Sequence, residues 1–248
     1  SEGVATDFTY KDDLAKLLRF ESTAAEDGKL TGLEAYIDRM AADQKDILFL
    51  YGKNRKAIES GPYLEALQAR GYEVLLLTEP VDEYVMQSLR EFKEKKIISA
   101  DSDELKLDKL DQEPTGEPLD EKAVKKLSKW IKQSLEDRVS EVETGERLIN
   151  SPVCVVGEDG MGGASARRIM KMMQGPEGEM PASKVKFQIN PSHAIIHGLF
   201  KLMEKDEPTA LLVANQLLDN ALASANLLDD PREMIARSYQ ALEKLTTV

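Results

Sequence analysis

Two short, uninterrupted apolar runs stand out along the chain, Ile47-Leu48-Phe49-Leu50-Tyr51 and Val74-Leu75-Leu76-Leu77. Runs of this length without a polar break predict strands buried on both faces. Between them and on either side, apolar residues return every three or four positions, which predicts amphipathic helices. Residues 11–18 place Leu14, Leu17 and Leu18 on one helix face. Helix 32–41 buries Leu33, Tyr36, Ile37 and Met40, with Thr31 as its N-cap and Glu34 as the capping-box partner. A turn around Gly52 leads into a helical stretch to residue 69, and Gly71 stops it. Pro80 opens a further helix to about Phe92, and Ile97-Ile98 is a third strand. Strand, helix, strand, helix with buried strands predicts a small parallel α/β unit with right-handed crossovers.

The pattern changes across residues 108–121, where Asp, Glu, Pro114, Gly116 and Pro118 leave no apolar period. We place a first domain at 1–112, a linker at 113–120 and a second domain at 121–248. In the second domain, helix 120–135 carries Val124, Leu127, Ile131 and Leu135 as its inner stripe, flanked by Trp130. Residues 139–156 hold two strands, the second ending in Val153-Cys154-Val155-Val156. A helix over 164–174 and a strand over 187–190 follow, and the chain is helical from Ser192 onward. The predicted fold class is therefore α/β followed by α+β, ending in a helical hairpin.

That hairpin carries the strongest association signal. Leu211, Ala214, Leu218, Ala221, Ala225 and Leu228 follow a three-four alternation. Asp230 caps the last helix, Pro231 takes its first position, and Ile235, Tyr239, Leu242 and Leu245 form its stripe. Two such helices are half of a four-helix bundle, which a two-fold partner would complete. The other reading is that the hairpin packs on its own domain.

Composition narrows the function. With a net charge of −12, attraction to nucleic acid or to anionic membrane is not expected. No apolar run approaches the ~18 residues of a membrane-spanning helix. The lysines at 93, 95 and 96, and at 122, 125, 126 and 129, are expected on solvated helix faces. A single cysteine, Cys154, leaves no internal disulfide and no cysteine metal site, and suits a reducing compartment. The first residue is Ser1, consistent with a processed product or a piece of something longer.

Candidate chemistry is sparse. His193 and His197 have the i,i+4 spacing of zinc helices, but Ala194 stands where the metalloprotease glutamate belongs, so both are expected to be structural. The loop with Gly157, Gly160, Gly162 and Gly163 lacks a P-loop lysine and carries Glu158 and Asp159, which repel phosphate. Cys154 is expected to be a small buried hydrophobe. The first-turn carboxylates Asp82 and Glu83 suit the helix dipole without catalysis. An α/β enzyme would place its site at the strand ends near Thr78–Asp82.

What remains is methionine. Four of the nine methionines, Met161, Met170, Met172 and Met173, follow or lie in the glycine-rich loop. Ile169, Met172 and Met173 share a helix face, Arg167, Arg168 and Lys171 are charged, and Met170 falls off the stripe. Such a cluster is either irregular core or an adaptable apolar binding surface.

Five blocks decide between these classes. They are Leu14-Ala15-Lys16-Leu17-Leu18-Arg19-Phe20-Glu21-Ser22, Gly71-Tyr72-Glu73-Val74-Leu75 running to Asp82-Glu83-Tyr84, Arg168-Ile169-Met170-Lys171, Ile189-Asn190-Pro191-Ser192-His193 and Leu227-Leu228-Asp229-Asp230-Pro231. In this order they resemble the ninety-kilodalton heat-shock chaperone family, from the end of its middle domain through its C-terminal dimerisation domain. Met161-Gly162-Gly163-Ala164, His193-Ala194-Ile195-Ile196 and Asp219-Asn220-Ala221-Leu222 are similar to the family's mitochondrial members. The chain ends in Leu245-Thr246-Thr247-Val248, without the tail that recruits tetratricopeptide co-chaperones in cytosolic members.

The resemblance implies an ATP-dependent chaperone whose ATP and Mg sit in an N-terminal domain outside this chain, so these residues would need no cofactor and hydrolyse no ATP. It implies a homodimer through the terminal hairpin and unfolded or partly folded clients at Met161, Ile169, Met170, Met172 and Met173. The off-stripe Met161 and Met170 are expected to be the exposed members. It also implies that the small α/β unit relays movement between domains. A mitochondrial location is expected, with the cytoplasm as the alternative, and a pure dimerisation scaffold with buried methionines is the remaining reading.

Overall fold

The computed structural model describes residue 13 and residues 15–108, 116–157, 168–169, 184–228 and 230–246. The described residues have mixed helical and strand content, with two mixed sheets and eight α-helices. Chain contacts divide it into two units, Ser1–Leu107 with Gly157–Met180, and Asp108–Val156 with Pro181–Val248.

In the first unit, strands β1 (Glu21–Ser22), β2 (Ile47–Tyr51), β3 (Leu75–Leu77), β4 (Glu91–Phe92) and β5 (Lys95–Ser99) form one sheet in the order β1-β3-β2-β5-β4. β2 runs parallel to both β3 and β5, with Phe49 opposite Leu75 and Ile47 opposite Ile97. The edge strands are antiparallel, β1 to β3 and β4 to β5, so the sheet is mixed rather than parallel throughout. Along β2, residues 47–50 are all at most 3% exposed, as expected of a strand covered on both faces. Ile47 and Phe49 join Leu33, Tyr36, Leu75, Leu77, Val85, Met86, Leu89 and Phe92 in one core.

Around this sheet lie α1 (Leu33–Arg39), α2 (Arg55–Glu59), α3 (Glu65–Ala69) and α4 (Pro80–Leu89). Gly71 adopts φ of 70° just after α3, and the amide of Tyr72 reaches back to the Leu67 carbonyl, which makes Gly71 the expected helix stop. Gly52 is needed for a close approach, since a Cβ there would meet Ile58 Cγ1 at 2.5 Å.

Three sequence expectations change here. Thr31 does not cap α1; Gly32 does, without a side-chain bond. Thr31 instead pairs through its backbone with Phe20, and its Oγ1 accepts from Arg39 Nη2 at 2.8 Å. Glu34 turns to Lys93 at 2.7 Å, so the capping box is absent. Second, the helix from Pro80 ends at Leu89, because Arg90 takes φ of 58°. Lys93 and Glu94, with φ of 48° and 62°, form a tight hairpin turn, so Lys93, Lys95 and Lys96 lie on a hairpin and not on a helix. The turn returns Phe92 to the core, where it is 2% exposed. Third, Leu17 is 70% exposed while Leu18 is buried, so the two leucines do not share an inner face; Leu14 lies outside the described residues.

Tyr36 ties α1 to the sheet. Its buried hydroxyl donates to the Glu73 carbonyl at 2.6 Å and accepts from Gln44 Nε2 at 2.7 Å and from the Leu48 amide at 2.9 Å. Burial is the main reason its pKa lies well above the ordinary tyrosine value. Tyr36→Phe leaves the Leu48 amide of a buried strand without its acceptor, and should lower unfolding stability by about 1–3 kcal/mol. Urea unfolding checks this, and a loss under about 0.5 kcal/mol would show that the three bonds are dispensable.

In the second unit, β6 (Val139–Thr144), β7 (Val153–Val156) and β8 (Val185–Ile189) form a sheet in the order β6-β8-β7, with β8 parallel to β6 and antiparallel to β7. Helix α5 (Glu121–Ser134) opens on Asp120, whose Oδ1 accepts from the Ala123 amide at 2.8 Å. Its Ala123, Leu127 and Ile131 are buried, with Leu135 just past its end. Helices α6 (Ala194–Lys205), α7 (Glu207–Ser224) and α8 (Pro231–Thr246) complete the unit. Among the described residues, no helix is long and apolar enough to cross a membrane.

Candidate functional site

Helix α7 begins at Asp206, whose Oδ1 accepts from the Thr209 amide at 3.1 Å, and its first turn holds Pro208. It ends where Asn226 adopts φ of 56° and the Leu227 amide bonds back to the Leu222 carbonyl. Asparagine tolerates this left-handed position better than most residues, so the chain can reverse without glycine. Asp230 then starts α8, its Oδ1 accepting from the Arg232 amide at 2.9 Å. The Arg232 side chain, hydrogen-bonded to the same carboxylate, is the first reason Asp230 titrates down at about 2. Glu233 accepts weakly from Arg237 at 3.4 Å.

The residues proposed for association divide into two groups. Ala214, Leu218, Ala221 and Ala225 are buried within the chain, at 3% exposure or less, and Leu228 is half-buried. Leu211, Ile235, Tyr239, Leu242 and Leu245 are exposed, at 39%, 44%, 68%, 53% and 74%. Helix α8 has no buried residue at all. An apolar stripe turned outward on a helix is the reverse of the usual amphipathic arrangement.

Sequence reasoning missed what holds α8 in place. Asp219 of α7 is fully buried, and both its oxygens are taken by arginines. Arg237 Nε of α8 donates to Oδ2 at 2.6 Å, and Arg138 Nη2, just before β6, donates to Oδ1 at 2.5 Å. Arg138 Nη1 also reaches Asn215 Oδ1 at 3.2 Å, one turn along α7. The hydrogen bond to Asp219 is the chief cause holding the Arg237 guanidinium above its ordinary pKa. In the sequence Asp219 stood out only as part of the Asp219-Asn220-Ala221-Leu222 block, beside Leu218 of the apolar stripe.

Of the methionine segment, Met161, Met170, Met172 and Met173 lie outside the described residues. Ile169 is 9% exposed and Arg168 is 8% exposed. Arg168, one of the segment's three cations, enters a buried cluster within the first unit. Its Nη2 meets Glu83 Oε1 at 2.5 Å and Asp101 Oδ2 at 2.9 Å, and its Nε lies 3.1 Å from each Glu83 oxygen. The guanidinium carbon stands 5.6 Å from the centre of the Tyr51 ring, a cation–π distance. Burial opposes the charge on Arg168, but Asp101 and then Glu83 outweigh it and hold the cation above its already high ordinary value. Glu83 therefore does more than complement the dipole of α4: it is fully buried and ion-paired.

The other candidates have ordinary partners. His193 is the N-cap of α6, its Nδ1 accepting from the Ile195 amide at 3.1 Å, and His197 Nε2 lies 2.8 Å from the Pro191 carbonyl. Cys154 is buried in β7 with Sγ 3.5 Å from Gln188 Oε1. At Gly157, the first glycine of the loop, the amide bonds to the Asp101 carbonyl at 3.0 Å and the carbonyl accepts from the Asp103 amide at 3.1 Å. Neither group is turned to a phosphate; Gly160, Gly162 and Gly163 lie outside the described residues. Near Thr78–Asp82, the Asp82 pKa is raised from its ordinary value by burial and then by Glu79, and no histidine or cysteine belongs to that unit.

A family profile described as Hsp90 protein matches residues 1–248. The chaperone protein HtpG of Desulfotalea psychrophila is 37% identical over 98% of this chain and 40% of its own length. The mitochondrial TNF receptor-associated protein 1 homolog of Dictyostelium discoideum is 37% identical over 99% of the chain and 35% of its own length. The mitochondrial heat shock protein 75 kDa of Rattus norvegicus is 37% identical over 98% of the chain and 35% of its own length. The chain thus spans 40% or less of these three relatives. A profile match along its whole length, with relatives 37% identical over 98–99% of it, makes this chain a member of the Hsp90 family.

Proposed function

We propose that these residues supply self-association and client binding to an ATP-dependent molecular chaperone. One observation carries the reading: α8, with no buried residue of its own, turns Ile235, Tyr239, Leu242 and Leu245 outward, and Leu211 of α7 is exposed as well. A second copy related by a two-fold axis would cover this face and complete a four-helix bundle. In this reading the chain is an α/β unit followed by an α+β unit that ends in the dimerisation hairpin. The methionine segment binds unfolded or partly folded proteins, since flexible thioethers fit many apolar shapes.

We assign no ATP turnover to residues 1–248. In this reading ATP and Mg belong with a part of the chaperone outside residues 1–248. We infer a mitochondrial location, supported by two relatives whose names carry that compartment.

Sedimentation of the chain tests association: a dimer is expected at micromolar concentration, and a monomer at high micromolar concentration would end the proposal. Met172→Ser with Met173→Ser tests client binding. Expected is a folded protein that no longer suppresses aggregation of an unfolded substrate. A stability loss of about 2–5 kcal/mol would instead place both methionines in the core.

A further inference from the structure

We propose that Asp219 is the positioning residue of the α8 face: its buried carboxylate, held between Arg138 and Arg237, sets which side of α8 points outward. The inference rests on the reading of that face as a self-association surface.

The argument starts from what does not hold α8. Its inner side presents Met234, Arg237, Ser238 and Ala241, all only half-buried, so apolar packing gives the helix little preference for one rotation about its axis. Non-directional burial of small side chains tolerates rotation, whereas a charge-assisted hydrogen bond does not. At about 100° per residue, Arg237 lies roughly 160° round the helix from both Ile235 and Tyr239. Drawing Arg237 inward to Asp219 at 2.6 Å therefore turns those two residues outward. Leu242 follows on the same stripe.

Asp219 is itself fixed. It is 0% exposed on α7, and Arg138 occupies its other oxygen while also holding Asn215. A buried carboxylate with two cationic partners cannot relax into water, so its geometry is specified more sharply than that of a surface pair. The second tie between α7 and α8 is of the weaker kind. Lys244 donates to Thr209 Oγ1 at 2.6 Å and lies 3.9 Å from Asp206, but Lys244 and Asp206 are about half exposed. The clasp at Asp219 thus links the start of β6, α7 and α8 through one carboxylate.

Arg237→Met tests this in the whole 248-residue chain. It removes the tie to α8 and leaves Asp219 paired with Arg138. Hydrogen exchange of α8 amides should quicken about tenfold and self-association weaken about tenfold, with exchange in α7 and β6–β8 unchanged. Arg237→Lys should recover only part of both effects, since an ammonium lacks the planar fork. Unchanged α8 exchange and unchanged association in Arg237→Met would overturn the proposal. If that variant also loosens α7 and the sheet, the triple change Arg138→Met, Asp219→Leu, Arg237→Met strands no charge and decides. A folded unit with loosened α8 supports the clasp, and α8 protected as in the unchanged chain overturns it. Should the unchanged chain prove monomeric, the association reading falls, and α8 exchange in Arg237→Met still judges the clasp.

Discussion

A chain carrying Tyr239→Asp and Leu242→Asp should sediment as a folded monomer at concentrations where the unchanged chain forms dimers. Both side chains are more than half exposed and belong to a helix with no buried residue, so the substitutions remove little from the fold of one copy. In a two-fold assembly the same changes occur twice, and four carboxylates enter an apolar contact. A tyrosine buries about 150–250 Å² when covered, and apolar area is worth about 25 cal/mol per Å². Losing that contribution, and leaving carboxylates without partners, should weaken association by at least about 100-fold, or roughly 2.7 kcal/mol. Analytical ultracentrifugation across a concentration series measures it. A dissociation constant within about threefold of the unchanged chain would remove α8 from the interface.

The second large effect concerns Arg168. Arg168→Met keeps most of the side-chain volume but removes the cation that pairs with Glu83 and Asp101, which are 0% and 3% exposed. Removing one partner of a buried ion pair costs about 3–5 kcal/mol, a large share of the about 5–15 kcal/mol that stabilises an ordinary domain. Glu83→Gln should cost less, because Asp101 still faces the guanidinium and the amide oxygen can still accept. Arg168→Lys should fall between, restoring charge without the fork that meets Glu83 and Asp101 together. Urea unfolding with hydrogen exchange of the β1–β5 amides reads the transition of the first unit. Equal midpoints for Arg168→Met and the unchanged chain would mean the cluster contributes nothing net.

Elements whose stability is local were legible in order and type. The runs at 47–51 and 74–77 hold strands β2 and β3, Leu127 and Ile131 form the inner stripe of α5, Gly71 stops a helix, and Asp230 with Pro231 starts one. Each depends on neighbours within a few positions, so period and capping chemistry are sufficient. The hairpin at Lys93 and Glu94 was hidden because neither residue belongs to the usual left-handed types; the burial of Phe92 and the pairing of Lys95 with it supply the stabilisation. Thr31 carried a helix-cap signature, and pairing with Phe20 prevailed over it.

The stripes on the last two helices could be read as apolar from the chain, but not which of them the chain itself covers. That depends on long-range packing: Ala214 and Leu218 are covered, while Tyr239 and Leu242 are not. Charge is the sharper case. Glu83 and Arg168 stand 85 positions apart, and Asp219 and Arg138 stand 81 apart. In the sequence each is an ordinary charged residue with a local explanation. Their burial becomes tolerable only when the fold brings opposite charges within hydrogen-bond distance, because desolvation is compensated by a partner and by nothing in the local sequence. Hydrophobic period, caps and family blocks are properties of the chain; the choice of outward face on α8 and the buried pairing of its charges are properties of the folded unit.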